Sequence, residues 1–217
     1  MKKLTGSLAV LGLLLGATGQ AGAVLLPIDN PSFEASSLGD GAFTMTVTGW
    51  TVTDTTTTGV WNPSAAQSYG GLAPGGSNVA FSNGGALSQT LTTAMGANKT
   101  YTLSVYVGNR ADFAVFPGYQ IQLLAGSTVL AQCVSCVIPT DNTFALVNVS
   151  YTTASSVTPG QLLGIRLASD GGQVNFDRVQ LENNNNVPEP GTLLLLGFGL
   201  AGIGFLGGTR RFRGAQN

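Results

Sequence analysis

The chain has 217 residues with 31 glycines, two cysteines, no histidine, 9% charged side chains and a formal net charge of −1. Without histidine there is no Ser-His-Asp or Cys-His nucleophile system and no His-ligated zinc, and two cysteines cannot complete a four-thiolate zinc or iron–sulfur site. Between Val24 and Asn186 four basic residues (Lys99, Arg110, Arg166 and Arg178) face nine acidic ones, about −5 in all, which excludes the basic footprint of a nucleic-acid binder.

Residues 1–23 read as a secretory signal. Met1-Lys2-Lys3 is a basic start, Leu8 to Gly16 is apolar, and Ala21-Gly22-Ala23 supplies the small residues of a cleavage site. Cleavage after Ala23 makes Val24 the mature N-terminus.

Residues 24–182 follow a period of two. Phe43 to Thr58 is Thr-rich and β-prone, with nine threonines between Thr44 and Thr58. Tyr101, Leu103, Val105 and Val107 alternate with Thr102, Ser104 and Tyr106. The same alternation recurs in Tyr119-Ile121-Leu123, in Ala145-Val147-Val149-Tyr151 and in Leu163-Ile165-Leu167, each run bounded by turn residues. No stretch sustains an amphipathic helix. The expected fold is all-β, an antiparallel β-sandwich of the jelly-roll kind. Cys133-Val134-Ser135-Cys136 falls in a strand–loop region of an exported chain, so a local disulfide is expected there and not a redox site on a helix.

After a linker, Asn183 to Asn186, the tail runs Val187-Pro188-Glu189-Pro190, then 17 uncharged residues from Thr192 to Gly208, then Arg210, Arg211 and Arg213. An apolar run of that length makes a helix of roughly 25 Å, long enough to span a membrane at the short limit, with the arginines inside. The motif, span and basic end over 187–213 resemble the PEP-CTERM sorting signal of exported bacterial proteins. That resemblance implies an exosortase as processing partner and a precursor anchored in the inner membrane by its C-terminal helix. The released body would reach the cell surface or extracellular matrix.

Asn30-Pro31-Ser32-Phe33-Glu34, Gly49-Trp50-Thr51, Leu87 to Leu91, Thr100 to Val105, Leu163 to Leu167 and Val174 to Leu181 follow one another in an order similar to galactose-binding-like, carbohydrate-binding-module jelly rolls. The resemblance implies a structural calcium held by Glu34 and Asp177. Independently, Asp177 shares strand parity with Val179 and Leu181, which aims its carboxylate coreward, where an unpaired charge is costly. Calcium, backbone N–H donors from the N-terminal segment, and Arg166 or Arg178 are the alternative partners for it.

Aromatic rings are sugar platforms, and Trp61, Tyr69, Tyr106, Phe113, Phe116 and Tyr119 fall in loops or on outward parity. Trp50 is expected in the core. No catalytic motif is recognisable, so the expected function is a non-catalytic module that binds polysaccharide. The alternatives are a structural matrix protein and a glycoside hydrolase using a carboxylate pair.

Overall fold

The computed structural model describes residues 22–110 and 115–185; residues 1–21 of the expected 1–23 signal, Phe113 and the tail from Asn186 onward, with Val187, Pro188, Glu189, Pro190, Arg210, Arg211 and Arg213, lie outside the described residues. The described chain holds twelve strands: β1 (Val24–Leu25), β2 (Phe43–Thr44), β3 (Thr51–Val52), β4 (Thr58–Trp61), β5 (Val79–Asn83), β6 (Ala86–Ala94), β7 (Lys99–Asn109), β8 (Tyr119–Ala125), β9 (Thr128–Val134), β10 (Thr143–Thr152), β11 (Leu162–Ser169) and β12 (Gln173–Asn185). The larger sheet runs β10-β7-β12-β5-β4-β2, with β1 also on β12; the smaller runs β3-β6-β11-β8-β9. All pairings are antiparallel, so the expected all-β sandwich is what the chain forms. Among the described residues no helix is long and apolar enough to cross a membrane.

Alternation drives the assembly. On β7, Tyr101, Leu103, Val105 and Val107 are buried, and they meet Ile121 and Leu123 of β8 and Leu163, Ile165 and Leu167 of β11 in one core between the sheets. Burying each such side chain is worth about 1.5–3 kcal/mol. Phe33 and Trp50 close one end, their rings 5.5 Å apart.

Two stretches depart from the sequence reading. The Thr-rich run from Phe43 to Thr58 is not continuous β; it gives β2 to one sheet and β3 to the other, with turns between. Its short side chains bond locally: Asp54 Oδ1 accepts from the backbone N–H of Thr56 at 2.8 Å and from its hydroxyl at 2.6 Å, competing with ladder formation. The second departure is a β-bulge in β12. The register runs Phe176↔Val107 and Asp177↔Tyr106, then resumes at Gln180↔Ser104, with Arg178 at φ +46°. The extra residue flips the parity. Val179 and Leu181 stay in the core, whereas Asp177 joins Asn175 on the sheet's outer face. Parity therefore aimed Asp177 the wrong way.

Candidate functional site

The outer face of the larger sheet, opposite the core, carries a second buried cluster of Trp61, Tyr69, Val79 and Phe81, with Met45, Ala73 and Phe144 packed against it. Register explains how distant segments meet there. One row crosses five strands as Gly59, Phe81, Asn175, Gly108 and Phe144, flanked by Asn83 opposite Gln173 and by Trp61 between Phe43 and Val79. Gly108 is needed for close approach: a Cβ there would stand 2.5 Å from Phe144 Cε1 and 2.8 Å from the Tyr69 hydroxyl. That space admits the Tyr69 ring, 4.3 Å from the Phe144 centroid, and its hydroxyl donates to buried Asn175 Oδ1 at 2.8 Å.

Beside this cluster opens a groove of about 320 Å³. Phe43, Met45, Trp61 and Phe81 give it apolar walls; Gln67, Asn83, Arg110 and Gln173 supply polar groups. The Arg110 guanidinium lies 4.4 Å over the Trp61 ring centroid, and its Nη1 donates to Gln173 Oε1 at 2.8 Å. Such a site, apolar with a few fixed polar groups, suits a small flat organic molecule.

The predicted platforms divide. Trp61 lines the groove. Tyr69 supports it from below, buried, and contributes no exposed ring. Tyr106 sits half-buried on the outer face beneath Arg178, 5.9 Å from its guanidinium carbon. Tyr119 is a correction: it is fully buried in the sandwich core, inward with Ile121 and Leu123, and its hydroxyl donates to the Val137 carbonyl at 2.8 Å. Burial pushes its phenol above the ordinary value despite that bond. Phe116 packs edge-on against it, centroids 5.9 Å apart. Sequence reasoning passed over Phe43, Met45, Phe81, Asn83, Arg110 and Gln173. The Val79-Phe81-Asn83 alternation was the available signal for two of these, Phe81 and Asn83.

Glu34 and Asp177 converge on one loop. Asp177 Oδ2 accepts from Gly75 N at 2.6 Å; Glu34 Oε1 accepts from Ser77 N at 2.8 Å and Asn78 N at 2.6 Å. Gly75 and Gly76 make this possible, since a Cβ on Gly75 would lie 2.8 Å from Asp177 Oδ1 and one on Gly76 would collide with Glu34 Oε1. Asp177 is fully buried and Glu34 exposed. Burial pushes the Asp177 carboxyl up to about 7; the N–H donors of Gly75 and Arg178 oppose the rise, and the Glu34 charge adds to it. Its backbone donors are Gly75 N on this loop and the neighbouring Arg178 N, which reaches Oδ1 at 2.6 Å, and neither belongs to the N-terminal segment. Asn78 Nδ2 donates to the Phe33 and Ser36 carbonyls at 3.2 and 2.8 Å, which leaves Asn78 Oδ1 buried with no partner. Carboxylate and amide oxygens are the atom types a hard cation takes. No group of three or more acidic, Cys or His side chains placed to hold a metal exists among the described residues. Cys133 and Cys136 are joined by a disulfide that closes the turn after β9, Cα atoms 5.6 Å apart.

Comparison with known proteins assigns the body. Residues 24–182 match the HpiC1-like family model, HpiC1 cyclase, and residues 186–211 match the PEP-CTERM protein-sorting motif. No curated protein matches the chain. The crystal structure of the Stig cyclase Fisc from Fischerella sp. TAU, in complex with (3Z)-3-(1-methyl-2-pyrrolidinylidene)-3H-indole, superposes with a TM-score of 0.69 at 31% identity, over 76% of this chain and 100% of that one. A cyclase from Fischerella sp. TAU in complex with 4-(1H-indol-3-yl)butan-2-one superposes with a TM-score of 0.65 at 32% identity, over 76% of this chain and 99% of that one. A CBM22-1 xylan-binding domain from Paenibacillus barcinonensis Xyn10C aligns at 18% identity with a TM-score of 0.43, over 70% of this chain and 99% of that one. The expectation of a non-catalytic module is thereby overturned, because the family model covering the whole sandwich is that of a cyclase. The absence of histidine excluded nucleophilic triads; ring closure in a shaped cavity needs none of them. With its sandwich matched from end to end and a PEP-CTERM motif behind it, the chain is an exported member of the HpiC1 cyclase family.

Proposed function

We propose that the outer-face groove is the active site of a cyclase acting on a flat, largely apolar substrate of indole type. The observation that carries this is the groove itself, walled by Phe43, Met45, Trp61 and Phe81 with Asn83, Arg110 and Gln173 at hand. The indole ligands named with two of the similar cyclases support the ligand class. Its chemistry would be confinement: apolar walls exclude water and hold a flexible substrate folded so that the bond-forming atoms meet, the amides and guanidinium fixing polar substituents. Calorimetry of the full-length chain with 4-(1H-indol-3-yl)butan-2-one tests the site. Binding that weakens about tenfold or more in Trp61→Ala and Phe81→Ala is expected. Binding of a soluble polysaccharide with none of the indole ketone would overturn the reading and restore a carbohydrate module.

The Glu34–Asp177 pair, with Asn78 Oδ1, is proposed to hold a structural calcium ion. The unpartnered Asn78 oxygen and the buried Asp177 carboxylate, whose burial outweighs its two N–H donors, support the fit. The ion would tie the N-terminal segment, the 75–78 loop and β12 together. Delivery to the cell surface or extracellular matrix, after signal removal at Ala23 and exosortase processing of the tail, completes the proposal.

A further inference from the structure

Arg110, Trp61 and Gln173 all line the groove, and they are arranged in a fixed order. The guanidinium carbon lies over the indole of Trp61, 4.4 Å from its centroid, and Gln173 Oε1 takes a hydrogen bond from Nη1 at 2.8 Å. Gln173 is itself anchored: it is buried, opens β12, and sits in register with Asn83 of β5. Arginine at the end of a strand has many rotamers, and a buried acceptor beside the ring favours the one that covers Trp61. A guanidinium stacked on tryptophan is a flat, delocalised, weakly hydrated surface, which attracts a second π face more than it attracts a saturated hydrocarbon.

We infer that Gln173 is a positioning residue that clips Arg110 over Trp61, and that the pair selects planar aromatic substrates over saturated ones of equal size. The inference rests on the groove being the ligand site and goes beyond it, since apolar walls alone would accept a cyclohexyl and an aryl group alike. Selectivity resides in the clip, and Gln173 acts through Arg110 without touching the ring of the ligand.

The test compares two ketones with the same fused six-five ring skeleton, 4-(1H-indol-3-yl)butan-2-one and the saturated 4-(octahydro-1H-inden-1-yl)butan-2-one, by calorimetry on the full-length chain. The wild type should bind the indole ketone about tenfold more tightly than the saturated ketone. In Gln173→Leu that ratio should fall to about two, the indole ketone losing more affinity than the saturated one. Gln173→Glu keeps an acceptor at the same reach and should restore the ratio. Arg110→Lys keeps the charge, removes the plane, and should behave as Gln173→Leu does. A wild-type ratio retained in both Gln173→Leu and Arg110→Lys overturns the inference, as does loss of both ketones together in folded Gln173→Leu protein. If neither ketone binds the wild type, it is the active-site reading that fails, and this inference with it.

Discussion

Replacing Asp177 by Asn isolates the cost of a buried charge from the benefit of its hydrogen bonds. The folded-state carboxyl is raised from 3.8 to about 7, burial being the main cause. The folded protein thus holds a proton that the unfolded chain releases, and metal-free stability should be full below pH 4, fall as pH rises, and level off above pH 7. At about 1.4 kcal/mol per unit, the loss by pH 8 is on the order of 4 kcal/mol. Asp177→Asn removes that loss but turns an amide toward Gly75 N, which costs one hydrogen bond, about 1 kcal/mol. In chelator at pH 8 the variant should therefore be more stable than the wild type by about 2–3 kcal/mol, and at pH 4 less stable by about 1. Calcium at a hundredfold excess over its dissociation constant should return about 2.7 kcal/mol to the wild type and little to the variant. Urea titration followed by tryptophan emission reads all of this, since Trp50 and Trp61 are both buried. An Asp177→Asn protein equally destabilised at pH 4 and pH 8, with a calcium response like that of the wild type, would refute the reasoning.

Gly108→Val should cost about 1–3 kcal/mol by overpacking, because its Cβ would press on Phe144 and the Tyr69 hydroxyl, and thermal unfolding should show it together with weakened indole-ketone binding. Tyr119→Phe strands the Val137 carbonyl and should cost about 1–3 kcal/mol in the same assay while leaving ligand affinity unchanged; a loss of affinity would bring back its expected role as a platform. Cys133→Ser with Cys136→Ser should cost less than the roughly 3 kcal/mol of a 15-residue bridge, the cysteines being three residues apart, and non-reducing peptide mapping of the wild type should recover them linked. Intact mass of protein recovered outside the cell should fit a chain from Val24 to about Pro188–Pro190; an intact tail on all of it would sink exosortase processing.

The sandwich was legible because alternation is a local signal and the core strands carry it cleanly. Tyr101 to Val107 and Leu163 to Leu167 bury the very side chains their period names. Asp177 was misplaced since nothing in Phe-Asp-Arg-Val announces a bulge; the extra residue is set by where β7 resumes pairing, a non-local fact. Tyr119 shows the opposite failure. Its parity with Ile121 and Leu123 already placed it inside, and the aromatic type was weighed over the period. The groove was hidden because its walls come from β2, β4, β5, β12 and the segments after β2, β4 and β7, each giving one or two side chains. Only their register puts Phe43, Trp61, Phe81 and Gln173 on one face.

Strand β12 explains how a chain with so few charges can build both a groove and a clamp. Gln173, Asn175 and Asp177 occupy successive outward positions, about 6.8 Å apart along the strand, and all three are buried. Each is met by a partner from outside the strand: Gln173 by Arg110, Asn175 by the Tyr69 hydroxyl, and Asp177 by the Gly75 N–H. The Tyr69 and Gly75 donors both belong to the connection between β4 and β5, so that connection is fastened to the sheet at two points beside the groove. A buried polar group left unpaired costs more than its bond contributes, so the three act as address labels that allow one placement of the covering loop and penalise the others. The bulge at Arg178 is what keeps the third label on this face. Without the parity change at Arg178, the outward set leading into Leu181 would place an apolar residue against Gly75 or an acid in the core. The local irregularity that defeated the sequence reading is thus the feature that joins the clamp to the groove.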